Sequence, residues 1–221
     1  MDKIFTKNIE HESAVKHVTG KAIYTDDISE PKNLLHAVIG YSNCSKGVIK
    51  KIDYKDVLSS EGVVDIITEK DIEGINDVGP IFKGDKIFTS KNIEYYGQPI
   101  FAVIAKTNKL AKKAALKVKI DLKISKPIVS IEEALKKKSF VLKPKYLTRG
   151  NIKDGFKKSD NILKGKLYSG GQDHFYLEGQ IAMTIPQEDN NFLVQKNSGF
   201  LPEERAWMTK LIDQIGLVDA F

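Results

Sequence analysis

The stretch EYYGQPIFAVIAK at 94–106 is the most apolar run in the 221-residue sequence, and it is followed at once by a one-sided helix. Its β-branched and aromatic content predicts a buried strand, with Gly97 and Pro99 marking a bend or bulge near the start. Thr107 predicts a helix N-cap. Leu110, Ala111, Ala114, Ala115 and Val118 then recur at helical spacing, with lysines on the opposite face.

Around this unit NLLHAVIGYS at 33–42 predicts a buried strand, the alternation of GVIKKIDY at 47–54 a strand with one wet face, β-branched VVDIIT at 63–68 a short strand, and KIDLKI at 119–124 another. IEEALKKK at 131–138 predicts a short helix whose acids come first and bases last, as the helix dipole favours. Residues 20–127 thus form a mixed α/β domain after a lead-in at 1–19. Residues 128–160, with Pro144 and Gly150, read as a connector. From Asn161 the pattern turns to long strands, NILKGKLYSGG and FYLEGQIAMTIPQ. A turn at Asp189-Asn190-Asn191 follows, with a further strand starting at 192–194, so a second, mainly β domain opens here.

Composition narrows the function classes. Hydrophobic residues make up 41%, which supports a packed core, and no apolar run reaches the ~18–20 residues that span a bilayer. MDKIFTKNIEHES at the N-terminus lacks the apolar centre of a signal peptide, so the expectation is a cytoplasmic protein without a membrane partner. Cys44, the single cysteine, cannot by itself form an internal disulfide or hold an iron–sulfur cluster or structural zinc. The net charge of +6 does not by itself indicate nucleic acid. The 35 basic residues are interleaved with 29 acidic ones, and only Arg149 and Arg205 are arginines, the side chain suited to bidentate phosphate recognition. His11, His17, His36 and His174 lie too far apart to suggest metal-ligand spacing. No generic phosphate-binding, zinc-protease or nucleophile-elbow motif is present.

One dense cluster remains, Gly170-Gly171-Gln172-Asp173-His174-Phe175-Tyr176-Leu177-Glu178. Two glycines permit close approach of a bulky group, and a glutamine amide can donate without adding charge. On the residues alone a Gly-Gly turn opening an amphipathic strand is the preferred reading. GGQDHFYLE resembles the strand of xanthine dehydrogenases and aldehyde oxidases whose glutamine faces the apical oxygen of the molybdenum. Other segments resemble that family in the same order. HESAVKHVTGKAIYTDDI at 11–28 and IEYYGQPIFAVIAKTNKLAKKAA at 93–115 resemble its α/β-hammerhead domain. RGNIKDGFKKSDNILKGKLYSGGQDHFYLE at 149–178 resembles the entry to its molybdenum domain. The likeness runs over about residues 10–194.

The resemblance implies an α+β fold: an α/β-hammerhead domain at 20–127, the connector at 128–160, and a truncated start of a molybdenum-cofactor-binding domain at 161–194. It implies a parent enzyme that hydroxylates a purine or aldehyde carbon with a molybdenum–pterin cofactor. Electrons would leave through iron–sulfur clusters and FAD on partner domains or subunits. Gln172, with Gly170 and Gly171, is the expected cofactor contact; no catalytic residue and no protein metal ligand is assigned. The glycine-rich loop and glutamate base of the family do not follow residue 194. Instead SGFLPEERAWMTKLIDQIGLVDAF at 198–221 resembles a segment of the exonuclease III family of repair nucleases, without its metal or catalytic residues. Residues 195–221 are therefore expected to be an unrelated helical tail, and the chain to be inactive alone. Two other readings stay open: a non-catalytic subunit-assembly module, and a fragment related to a DNA-repair exonuclease through that tail.

Overall fold

The computed structural model describes residues 11–79, 82–172, 179–188 and 191–196. They fall into two units, residues 11–125 with 179–196 and residues 126–172.

The first unit opens with α1 (Ala14–Val18) and a 3-10 turn at Thr25–Asp27, neither of which buries a residue. β1 (His36–Tyr41), β2 (Gly47–Asp53), α2 (Lys55–Leu58) and β3 (Val63–Ile67) follow. A 3-10 turn at Glu69–Asp71, β4 (Asn92–Ile93), β5 (Pro99–Ala105), α3 (Asn108–Ala115) and β6 (Lys119–Ile124) come next. The strands make two antiparallel sheets, ordered β1-β5-β3 and β4-β2-β6. β5 takes the centre of the first sheet because its residues are apolar on both faces: Phe101, Val103 and Ala105 on one and Ile100 and Ala102 on the other are all buried.

α3 packs across that sheet. Thr107 caps it, its hydroxyl accepting from the Leu110 amide at 3.2 Å. Ala111 and Ala114, both buried, bring the helix backbone close to the strands. The segment before β5 ties the sheets together: the Ile49 amide donates to the Lys91 carbonyl and the Thr89 amide to the Pro99 carbonyl, at 2.8 and 2.9 Å. Cys44, Ile49, Val57, Ile66, Ile93 and Phe101 belong to one shared core. Tyr54 meets Phe101 edge-on at 5.3 Å between centroids.

Three sequence expectations change here. Residues 94–98 form a turn and not the start of a strand. Gly97 adopts φ +81°, and the Gln98 side chain accepts from the Glu94 amide. β5 therefore begins at Pro99. The helix after Thr107 ends at Ala115, leaving Val118 outside it. The two-stranded β7–β8 hairpin, β7 (Ala182–Pro186) with β8 (Phe192–Lys196), begins later than the expected strand.

The second unit contains α4 (Ile131–Lys136), capped by Ser130, and α5 (Ile152–Lys158), capped by Asn151. α5 lies within the expected connector. Residues 161–172, expected to form a strand, pair with no described strand, because an alternating pattern becomes a strand only beside a partner ladder.

Candidate functional site

Gly170, Gly171 and Gln172 are all exposed and lie outside any helix or strand. A Cβ built on either glycine would meet nothing within 4 Å. Among the described residues none forms a hydrogen bond with the Gln172 side chain. The rest of the sequence cluster, residues 173–178 with His174, lies outside the described residues, as does the stretch 198–221 that resembles a nuclease. A molybdenum–pterin group needs many converging donors, since one neutral hydrogen bond contributes only ~0.5–1.5 kcal/mol net. One exposed amide beside two glycines in open space does not make such a cradle. The described residues by themselves do not fit the group.

The remaining histidines make local contacts. His11 Nδ1 lies 3.0 Å from the Ser13 hydroxyl and His17 Nδ1 lies 3.0 Å from the Tyr24 hydroxyl. His36 Nε2 lies 3.8 Å from Glu30. Among the described residues no three His, Cys, Asp or Glu side chains gather as a metal site. No described helix is long and apolar enough to cross a membrane.

A cleft of about 290 Å³ that no sequence motif announces is lined in part by Ile49, Tyr54, Thr68, Glu69, Lys70 and Ile100. Burial, helped by the charge of Asp71, pushes the Tyr54 phenol up to about 12. The Glu69 Oε2 atom is buried without a hydrogen-bond partner. These residues come from three separate strands and turns, so only the topology assembles them.

Two family models match the chain in order. The α/β-hammerhead domain of aldehyde oxidase and xanthine dehydrogenase covers residues 19–126. The molybdopterin cofactor-binding domain covers residues 134–213, a range that takes in part of the C-terminal stretch. The chain belongs to the xanthine dehydrogenase and aldehyde oxidase family. It has the family's α+β fold, a hammerhead domain and then the start of a cofactor-binding domain.

Among relatives, it is 36% identical over 189 residues to xanthine dehydrogenase of Dictyostelium discoideum, covering 86% of this chain and 14% of that one. It is 38% identical over 186 residues to aldehyde oxidase 2 of Mus musculus, covering 84% and 14%. The aldehyde oxidoreductase structure from Desulfovibrio gigas superposes with a TM-score of 0.78 at 26% identity, over 93% of this chain and 25% of that one. Quinoline 2-oxidoreductase from Pseudomonas putida shares the fold, with a TM-score of 0.76 at 16% identity over 95% of this chain and 28% of that one. The chain thus spans about 14% of the length of the curated relatives it matches.

Proposed function

We propose that the chain provides the hammerhead domain and the opening of the cofactor-binding domain of a cytoplasmic molybdenum hydroxylase that oxidises a purine or aldehyde carbon. In this reading it works with iron–sulfur and FAD domains or subunits. The observation that carries it is the presence of both family matches, in order, in one chain. A bound molybdenum–pterin group supplies the redox chemistry, and the protein supplies binding and position. Gln172 is the one residue of this chain assigned toward that group. Its neutral amide suits an oxygen acceptor without adding charge.

The test is a chimera. This chain replaces the matching region of the Dictyostelium discoideum xanthine dehydrogenase, and metal content and oxidation of xanthine and of an aldehyde are measured. Molybdenum loading with oxidation of either substrate supports the proposal. A folded, soluble chimera without molybdenum would remove it.

A further inference from the structure

We propose that the cleft lined by Ile49, Tyr54, Glu69 and Ile100 binds a small zwitterion with an apolar body, an α-amino acid carrying a large hydrophobic side chain. Such binding is independent of the molybdenum chemistry proposed above, so either can fail without the other.

The cleft measures about 290 Å³, at the small end of the ~300–1,000 Å³ usual for ligand pockets. That volume suits a molecule of amino-acid size better than a nucleotide or a flavin. Its walls come from β2, β5 and the 3-10 turn at Glu69–Asp71. β2 carries a bulge between Ile49 and Lys51, opposite β6, and a bulge re-aims the side chains beside it. Ile49 and Ile100 are both buried and give the cleft an apolar base.

Some polar groups on the walls are already engaged. The Thr68 hydroxyl donates to Asp71 at 2.8 Å, and the Thr89 hydroxyl to the Asn92 carbonyl at 2.6 Å. Glu69 differs, because its Oε2 atom is buried with no hydrogen-bond partner among the described residues. A buried acceptor left unmet is costly, so it marks a place where a donor belongs. Tyr54 adds a donor to the same lining, since burial raises its phenol to about 12 and keeps the proton on it.

Lys50, Lys51 and Lys70 stand around the cleft and outnumber the Glu69 carboxylate. They would repel a plain ammonium, and a plain carboxylate would leave Glu69 unmet. A zwitterion answers both. Its ammonium donates to Glu69, and its carboxylate accepts from the lysines and the Tyr54 hydroxyl. Its side chain covers Ile49 and Ile100.

The test uses the full chain, with L-phenylalanine as the probe and amide chemical shifts as the readout. Shifts should saturate in the millimolar range or below and cluster at residues 49–54 and 68–70. Phenylpropionate, which lacks the ammonium, and phenethylamine, which lacks the carboxylate, should each bind about ten-fold more weakly or worse. Glu69→Gln should remove the advantage of phenylalanine over phenylpropionate. Lys51→Gln with Lys70→Gln should remove its advantage over phenethylamine. If Glu69→Gln does not fold, the lysine variant and the two analogues decide. Absence of saturable shifts, or shifts scattered away from the cleft, would overturn the proposal. Equal binding by phenylpropionate, a simple anion site, or by phenethylamine, a simple cation site, would do the same, as would an unchanged preference in either folded variant.

Discussion

The ring of Phe101 occupies the space that a side chain on Gly40 would need: the two residues face each other across β1 and β5, and a Cβ on Gly40 would overlap the ring carbons. Phe101 is wholly buried and already holds Tyr54 on its other contact, so the ring has nowhere to retreat. Gly40→Ala should destabilise the first unit by at least about 1–3 kcal/mol, the usual range for forcing extra volume into a packed core. Gly155→Ala is the matched control. It sits within α5 with nothing within 4 Å of the added Cβ, so it should stabilise that helix by ~0.5–1 kcal/mol. Thermal melts of the two variants, which differ from the parent by the same methyl, should move in opposite directions. A neutral Gly40→Ala would refute the overlap.

The Tyr54 phenol should titrate late. Burial favours its neutral form, raising its folded value to about 12 from an ordinary 10. The stability linked to this shift is full below pH 10 and is lost as pH rises through the folded value. Ultraviolet titration should show one tyrosinate step near the alkaline end, absent in Tyr54→Phe. That variant keeps the ring packed on Phe101. Disappearance of an earlier step instead would contradict the burial of the hydroxyl.

At the acid end, Asp71 works in the opposite sense. Hydrogen bonds from the Thr68 hydroxyl and amide, at 2.8 and 2.7 Å, hold its carboxyl below the usual value. Its contribution is present above about pH 4 and is lost as pH falls through the depressed folded value. Thr68→Val removes the hydroxyl bond and the cap on Lys70, so the variant should be less stable near neutral pH and should lose less further stability as pH falls below about 4. An unchanged acid limb would show that this turn frays independently of the core.

Residues 19–126 should fold alone. Every buried apolar residue among the described ones lies between Cys44 and Ala114. The fragment should melt cooperatively with the midpoint of the full chain. A broad, non-cooperative transition would mean that the core depends on later residues.

Gln172→Ala, made in the chimera, separates a cofactor contact from a structural role. The side chain is exposed, so the melt of the chain should not change. If the amide faces the cofactor, turnover per bound molybdenum should fall on the order of 10²–10³. Turnover equal to the parent at full loading would withdraw the assignment.

The strands of the first unit were legible because their patterns are strong and local: VVDII, GVIKKID and PIFAVIA all sit where alternation or apolar runs placed them. Thr107 was legible as a cap because the capping hydrogen bond is itself local. EYYGQ was read as strand because its residue types favour one; the turn there depends on Ser42, whose hydroxyl reaches the Tyr95 carbonyl from 53 residues away. Residues 161–172 failed in a different way. Ile162, Leu163, Leu167 and Tyr168 have the composition of a strand but remain exposed, and composition does not state what surface will receive them. Gln172 was found by resemblance to a motif, not by geometry, since nothing described closes around it.

Cys44 lies in the shared core at 8% exposure and is the single sulfhydryl in 221 residues. It turns the hammerhead into its own stopwatch. A colourless disulfide reagent that releases a chromophore on reaction can touch this thiol only when the core breathes, so the colour-development rate reads the opening frequency directly, with no dye or engineered label. Any substitution, salt or added domain that steadies the two sheets will slow that clock, and anything that loosens them will speed it.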